Sequence, residues 1–85
     1  MSLVFSDAAW ADYLRWQATD PKVLRRVHDL IRDAMREPYR GIGKPEPLRH
    51  ALAGWWSRRI DEEHRMVYRR TPAGLEIAQL RTHYR

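Results

Sequence analysis

Three short segments of this 85-residue chain contain the residue types that could cleave RNA without a metal ion. They are Lys44-Pro45-Glu46-Pro47, the pair His64-Arg65, and His83-Tyr84 near the C-terminus. A carboxylate can take the proton from a ribose 2′-hydroxyl, an arginine can hold the phosphate, and a histidine can protonate the departing oxygen. The chain therefore carries a candidate base, a candidate phosphate ligand and a candidate acid.

Each of these residues also has an ordinary explanation. Two prolines restrict the backbone around Glu46, but a loop carboxylate commonly pairs with a nearby cation, here Lys44 or Arg49. Arg65 could pair with a neighbouring acidic residue, and a histidine near a chain end, such as His83, is ordinarily just exposed. Only the combination of the three segments favours the catalytic interpretation.

The chain is basic, and its basic residues are almost all arginine. It has 16 Lys and Arg against 11 Asp and Glu, a net charge of +5, and 14 of those 16 are Arg. A planar guanidinium suits bidentate phosphate binding, although a basic surface alone is a weak sign of a nucleic-acid partner. The absence of cysteine excludes disulfides, thiolate zinc sites and thiol nucleophiles. The later histidines lack the spacing of metal ligands, so we expect no metal and no cofactor.

The elements that must position these residues begin with a strand and two helices. Residues 3–5 form an apolar run, and Ser6 can cap the helix that follows. That helix places three large apolar side chains on one face, those of Trp10, Tyr13 and Leu14. Asp20-Pro21 is a helix start signal. An amphipathic second helix follows it and ends before Pro38.

The second half of the chain predicts a sheet. Residues 39–47 hold two glycines and two prolines and are expected to form a loop. Strand-forming runs then follow at 55–60, 65–69 and 75–81, separated by turns, which indicates an antiparallel meander. With the opening strand added at an edge, the fold class is α+β. The element order is β-α-α-β-β-β, and both helices pack on one face of a twisted antiparallel sheet.

We expect one domain, residues 1–85, in the cytoplasm, because no apolar run approaches membrane-spanning length and the N-terminus is too short for a signal peptide. Strand parity places Arg65, Val67 and Arg69 on one sheet face and Met66 and Tyr68 on the other. One face is thus predicted to be apolar and packed, and the other basic.

Two further assignments come from neighbouring positions in the sequence. Trp55 and Trp56 have opposite parity, so one is expected in the core and the other as a platform or interface residue. His28 is expected to be structural or exposed, and the roles of His50 and His64 stay open.

Four motifs, in order along the chain, carry a resemblance to a known family. They are Lys44-Pro45-Glu46-Pro47-Leu48, Gly54-x-Trp56-Ser57-Arg58-Arg59-Ile60, Glu62-Glu63-His64-Arg65-x-Val67-Tyr68 and the closing His83-Tyr84. In these motifs and in overall length the chain resembles the YoeB family of toxin ribonucleases, within the RelE superfamily. The resemblance implies a RelE-like microbial RNase fold.

The resemblance also implies an activity and its residues. It implies a metal-independent endoribonuclease that cuts mRNA in the ribosomal A site and so inhibits translation. Glu46 would be the general base, His83 the general acid, Arg65 the group that stabilises the phosphate, and Tyr84 an aid to substrate placement. One departure is Arg85, which follows the His-Tyr pair on which family members usually end and adds a cation beside the site.

The implied partners are mRNA on the ribosome, ribosomal RNA and a YefM-type antitoxin, with DNA reached only through the antitoxin. A homodimer is also implied, and no membrane partner. Contacts to RNA or the ribosome are assigned to five basic residues: Lys44, Arg58, Arg59, Arg69 and Arg81. The sequence gives no codon preference.

Two other functions fit the same residues. One is a catalytically silent RNA- or ribosome-binding module, and the other is a small scaffold that only assembles with a partner protein. A nuclease needs Glu46 and His83 for turnover, whereas a binding module needs chiefly its arginines.

Overall fold

Five strands and two helices make up the part of the chain that the computed structural model describes, residues 2–82. The strands form one sheet in the order β1-β5-β4-β3-β2. In chain order the elements are β1 (Ser2–Phe5), α1 (Asp7–Thr19), α2 (Pro21–Arg36), β2 (Glu46–Pro47), a 3₁₀ turn (His50–Leu52), β3 (Trp56–Arg59), β4 (Arg65–Thr71) and β5 (Gly74–Gln79). Neither helix within residues 2–82 has the length and apolar run needed to cross a membrane.

The predicted helix starts are confirmed. Ser6 Oγ accepts a hydrogen bond from the Ala9 backbone N–H at 3.0 Å, which satisfies one of the free donors at the start of α1. Asp20 separates α1 from α2, and its Oδ1 accepts from the backbone N–H groups of Lys22 and Val23, each at 3.2 Å. Pro21 occupies the first turn of α2, where a missing N–H costs nothing.

The apolar stripe of α2 supplies much of the core. Val27, Leu30, Ile31 and Ala34 are buried, as the helical spacing predicts. They join the buried side chains of the sheet in one cluster: Met66, Tyr68, Leu75 and Ile77. The sheet face that carries Met66 and Tyr68 is therefore the face covered by the helices.

The apolar face of α1 is not its buried face. Trp10 and Leu14 are 50% and 43% exposed, whereas Ala9, Asp12 and Trp16 are buried. The reason is that α1 holds the chain after β5 through polar atoms. Asp12 Oδ2 accepts from Leu80 N at 2.9 Å, and Trp16 Nε1 donates to Leu80 O at 2.8 Å. Counting apolar residues at helical spacing could not identify a face that is selected by hydrogen bonds.

The predicted α+β fold is confirmed, but the predicted order β-α-α-β-β-β lacks one strand, and the sheet differs from the prediction in two details. The opening strand lies at an edge, as expected, but β1 pairs with β5 in parallel, so the sheet is mixed rather than antiparallel. The segment predicted as a loop contains a short strand, β2, which pairs with β3 through Glu46 and Pro47. Proline is compatible with that position because an edge strand has one side without ladder partners.

Gly74 makes the parallel pairing possible. It lies opposite Ser2, has φ of 149°, and a Cβ there would come within 1.9 Å of Ser2 O. Any other residue would push β1 away from β5, because both the backbone conformation and the close approach require glycine.

Candidate active site

The sheet face without helices carries a row of polar residues that starts at Glu46. In the register of the sheet, Glu46 lies opposite Ser57, Ser57 opposite Val67, and Val67 opposite Gln79. Directly opposed residues project from the same face. Ser57 and Gln79 are both buried, at 3% and 5% exposure. Sequence analysis missed these two residues, because nothing in their local pattern distinguishes a buried polar strand position from an exposed one.

Two arginines extend this row. Arg59 lies two residues beyond Ser57 on β3 and is paired with Arg65 on β4, so both share the face of Glu46. From ordinary sheet dimensions, the Cα atoms of Glu46 and Arg65 lie roughly 12 Å apart. One carboxylate and two guanidinium groups thus border the same stretch of surface, as the strand parity predicts.

Arg65 is held on one side only. Its side chain lies beside the β3–β4 turn, where Nη1 donates to the backbone oxygens of Asp61 at 2.7 Å, His64 at 3.1 Å and Glu62 at 3.3 Å. The residue is 8% exposed. Within residues 2–82, neither Nε nor Nη2 of Arg65 donates a hydrogen bond. The guanidinium is therefore oriented by the protein while keeping N–H groups for an anion.

Glu46 lies at the exposed edge of the sheet. Its Oε1 is 3.7 Å from Lys44 Nζ, with side-chain exposures of 51% and 64%. Such an exposed ion pair contributes little to stability, so Lys44 does not hold Glu46 firmly. A recess of about 320 Å³ adjoins it, lined by Glu46, Pro47, Leu48, Arg49, His50 and Leu52. Arg49, which the sequence offered only as an ion-pair partner of Glu46, and His50, whose role was left open, both line this recess.

Arg58 lies in the interior, so its prediction as an RNA-binding residue was wrong. It has 0% exposure, and all five of its N–H donors are used. Nε donates to Tyr68 Oη, Nη1 to Asp33 Oδ2 and Ile42 O, and Nη2 to Glu37 O and Arg40 O. Strand alternation explains the location, because Arg58 points to the helix side between Ser57 and Arg59. Because Arg58 is charged, the sequence predicted an exposed position for it.

The groups around Arg58 have shifted pKa values. Hydrogen bonds from Arg36 and then from Arg58 lower the pKa of Asp33 to about 2. Burial raises the pKa of Tyr68, whose hydroxyl accepts from Arg58 and donates to Pro38 O at 2.5 Å. These bonds fasten residues 37–42, the start of the loop that leads to Glu46, against β3. Arg58 thus supports the site from below without reaching the substrate surface.

The other predicted RNA-binding residues differ in whether their side chains already have protein partners. Arg69 Nε donates to Glu76 Oε1 at 2.6 Å, and its guanidinium lies 4.3 Å from the centre of the Trp55 ring. Arg59 is exposed, and within residues 2–82 its side chain has no hydrogen-bond or ion-pair partner. Arg81 Nε is the only buried side-chain nitrogen or oxygen without a hydrogen-bond partner in the described part of the chain. Arg59 therefore keeps more binding capacity than Arg69, whereas the unpaired Nε of Arg81 is buried.

The two tryptophans face opposite ways, as predicted. Trp56 packs against the core and contacts the Tyr39 ring at 4.8 Å between centroids, while Trp55 lies under Arg69 on the helix-free side. His28 is structural, since its Nε2 is 2.9 Å from Tyr13 Oη. No three His, Asp or Glu side chains within residues 2–82 are grouped as metal ligands would be.

The predicted acid His83 and its neighbour Tyr84 lie outside the described residues, as does Arg85. Thr82, the residue before them, is held by two hydrogen bonds. Thr82 donates its backbone N–H to His64 Nδ1 at 2.7 Å, and its carbonyl accepts from the Arg65 backbone N–H at 3.0 Å. The chain that carries His83 therefore starts next to Arg65.

Comparison with known proteins gives a family. The sequence model of the YoeB-like toxins of bacterial type II toxin–antitoxin systems matches residues 5–84. Toxin YoeB of Escherichia coli is 52% identical over 84 residues, which cover 99% of this chain and 100% of that protein. The structure of a YoeB/ParE toxin from Agrobacterium tumefaciens superposes with a TM-score of 0.94 at 50% identity, covering 99% of this chain and 100% of the other.

Two similar structures show assemblies of relatives. In a YoeB–YefM complex from Staphylococcus aureus, the matching chain has a TM-score of 0.91 and 36% identity, with coverage of 99% of this chain and 98% of that one. A YoeB dimer from the same organism matches with a TM-score of 0.92 and 38% identity at the same coverage.

Proposed function

The chain belongs to the YoeB-like toxin family of bacterial type II toxin–antitoxin systems, and we propose that it is a metal-independent endoribonuclease acting on mRNA on the ribosome. The observation that carries the proposal is the shared face of Glu46 and Arg65, with the chain to His83 starting beside Arg65. This combines a base, an oriented phosphate ligand and the segment that carries an acid.

In the proposed reaction the substrate supplies its own nucleophile. Glu46 takes the proton of a ribose 2′-hydroxyl, whose oxygen forms a bond to the adjacent phosphorus. Arg65 stabilises the negative charge that builds on the non-bridging oxygens. His83 gives a proton to the 5′-oxygen as its bond to phosphorus breaks, and Tyr84 orients the nucleotide. The products are a 2′,3′-cyclic phosphate and a 5′-hydroxyl.

The shallow, basic site fits a substrate presented by a larger assembly. Glu46 lies on an exposed edge strand, so the protein alone encloses little of a nucleotide. Lys44 and Arg59 border the site, and Arg69 lies further along the face. These three residues, together with Arg81, would contact mRNA or ribosomal RNA phosphates. Because its substrate is mRNA under translation, the protein would act in the cytoplasm.

We also propose a YefM-type antitoxin as the inhibitory partner, and a homodimer for the free toxin. The relatives from S. aureus, one solved with YefM and one as a dimer, support both. A net charge of +5 favours an acidic antitoxin segment over the basic face. Contact with DNA would be made only through the antitoxin.

The test is a translation extract in which the ends of the mRNA are mapped. The protein should cut mRNA in the ribosomal A site, and Glu46→Gln should lower the rate by about 10²–10⁴ with ribosome binding retained. Asp29→Asn, an exposed carboxylate on α2 paired with Arg32, is the matched control and should cut normally. Undiminished cleavage of mRNA with a 2′-deoxy ribose at the cut site would overturn the proposed nucleophile.

The exposed Lys44–Glu46 ion pair favours one alternative, an RNA- or ribosome-binding module without catalysis. In that case the wild-type protein binds ribosomes and produces no new mRNA ends, and Glu46→Gln changes nothing. Arginine substitutions would then abolish all of its effect on translation.

A further inference from the structure

We propose that His64 is a positioning residue, which fixes the backbone of Thr82, the residue before the proposed acid His83 in the sequence. The inference rests on the proposed nuclease function. It assigns no chemical step to His64, whose imidazole acts through the backbone of the C-terminal segment.

The contact that carries the inference is a hydrogen bond from a backbone to a side chain. Thr82 N–H donates to His64 Nδ1 at 2.7 Å. Since a backbone amide can only donate, Nδ1 must be the unprotonated nitrogen of the ring. The Thr82 carbonyl accepts from the Arg65 backbone N–H at 3.0 Å. Both backbone polar groups of Thr82 are thus held by two consecutive residues at the start of β4.

Thr82 would not adopt its conformation without such contacts. Its φ is 58°, in the left-handed region, which is unfavourable for a β-branched residue. A backbone of this kind persists only where its surroundings impose it. The hydrogen bond that Thr82 N–H donates to His64 Nδ1 and the one that Thr82 O accepts from Arg65 N–H both contribute to that constraint.

His64 is itself held firmly enough to act as a fixed acceptor. Its ring meets the Trp16 ring edge-on, at 4.9 Å between centroids and 76° between planes. Its backbone N–H donates to Asp61 Oδ1 at 2.7 Å. Trp16 also donates to Leu80 O at 2.8 Å. Trp16 and His64 therefore hold residues 80 and 82 from one side, two positions apart along the chain.

The consequence for catalysis follows from chain geometry. Successive Cα atoms are about 3.8 Å apart, so a displacement of Thr82 is passed almost undiminished to His83. A misplacement of about 1 Å in a catalytic group can lower a rate by about 10². Substrate binding, which depends on Arg59, Arg65 and Arg81, would be much less affected.

Two substitutions separate the acceptor atom from the ring. His64→Phe keeps a ring against Trp16 and removes the acceptor, whereas His64→Asn keeps a carbonyl oxygen near the position of Nδ1 and removes the ring. We expect His64→Phe to lower the single-turnover cleavage rate on saturating ribosome complexes by about 10- to 100-fold. Half-saturation and Tm should stay near wild type. His64→Asn should recover most of the rate, even where it is the less stable of the two.

Hydrogen exchange at the Thr82 amide gives a second readout that does not depend on activity. The amide should be protected in the wild type and in His64→Asn and should exchange faster in His64→Phe. His28→Phe is the matched control, because it removes another histidine hydrogen bond, the one to Tyr13, away from the site. It should leave both the cleavage rate and the exchange at Thr82 unchanged.

The outcomes distinguish the inference from the function on which it rests. If the wild type cuts and His64→Phe cuts equally fast, the inference is wrong and the proposed function stands. If the cleavage rate of His64→Asn falls as far as that of His64→Phe, the ring and not the acceptor atom is important, and the inference is again wrong. If the wild type does not cut, the proposed function falls and the inference with it.

Discussion

Arg58 and Arg65 lie on adjacent strands and on opposite faces of the same sheet, and they differ in what remains of their hydrogen-bonding capacity. Arg58, beneath the helices, gives all five N–H donors to protein acceptors, among them Asp33 and Tyr68. Arg65, on the helix-free face, gives only one nitrogen of its side chain to the neighbouring turn. The first holds the fold together, whereas the second keeps N–H groups that no residue within 2–82 accepts from. The two side chains carry the same charge, so charge does not distinguish them. They differ in the number of N–H donors that have an acceptor within residues 2–82.

The largest effect is expected from removing the buried cation. Arg58→Met would leave the carbonyl groups of Glu37, Arg40 and Ile42 without this donor, while Asp33 would keep only the donors of Arg36 and Ile42. We expect a loss of about 3–5 kcal/mol in the free energy of unfolding, because several buried acceptors lose their partner at once. Urea denaturation measures it. Arg59→Met, the next residue and an exposed one, should change stability by less than about 0.5 kcal/mol. Equal losses in the two variants would contradict the structural role of Arg58.

On the helix-free face we expect the opposite result, a loss of activity with little loss of stability. Arg65→Lys keeps the charge but replaces a planar fork by one ammonium group, which cannot hold both the turn and a phosphate. We expect the cleavage rate to fall by about 10²–10³, with a shift of a few degrees at most in Tm. If Arg65→Lys lost stability in proportion to its activity, Arg65 would have a structural role like that of Arg58.

Acid should weaken the Arg58 face selectively. The pKa of Asp33 is lowered from 3.8 to about 2 in the folded protein, so folding favours the ionised carboxylate. The stabilisation is complete above the unfolded pKa and is lost as the pH falls through the folded one, between about pH 4 and pH 2. It amounts to about 1–2 kcal/mol, because water screens the exposed Arg36 partner. Unfolding at several pH values should show it, and Asp33→Asn should remove this part of the pH dependence.

The smallest effects are expected from two arginines of the helix-free face, Arg59 and Arg69. Arg59→Gln should weaken ribosome or RNA binding evenly across sequences and reduce the salt dependence of the binding constant by about one unit of slope. Arg69→Gln should do less, because Arg69 is already paired with Glu76 and stacked on Trp55. Binding titrations at several salt concentrations test this. A larger change for Arg69 than for Arg59 would reverse the assignment.

Much of the fold followed from local rules. Ser6 and Asp20 mark the helix starts because their side chains satisfy free N–H groups, and this needs no tertiary contact. The spacing of Val27, Leu30 and Ile31 identifies the buried stripe of α2, because hydrophobic burial imposes the helical period. The placement of Arg65 and Arg69 on one sheet face, opposite Met66 and Tyr68, follows from strand alternation alone.

Other features were decided only by the tertiary structure. The parallel direction of β1, the burial of Asp12 and Trp16 instead of Trp10, and the acceptor role of His64 all depend on residues more than 15 positions away in sequence. Arg58 also depends on residues outside its own strand, most of them at least 16 positions away. Its neighbours in sequence predict a surface cation, and its burial is possible because acceptors from residues 33–42 and Tyr68 converge on it. Local sequence sets which way a side chain points, whereas the partners that decide its role arrive from distant parts of the chain.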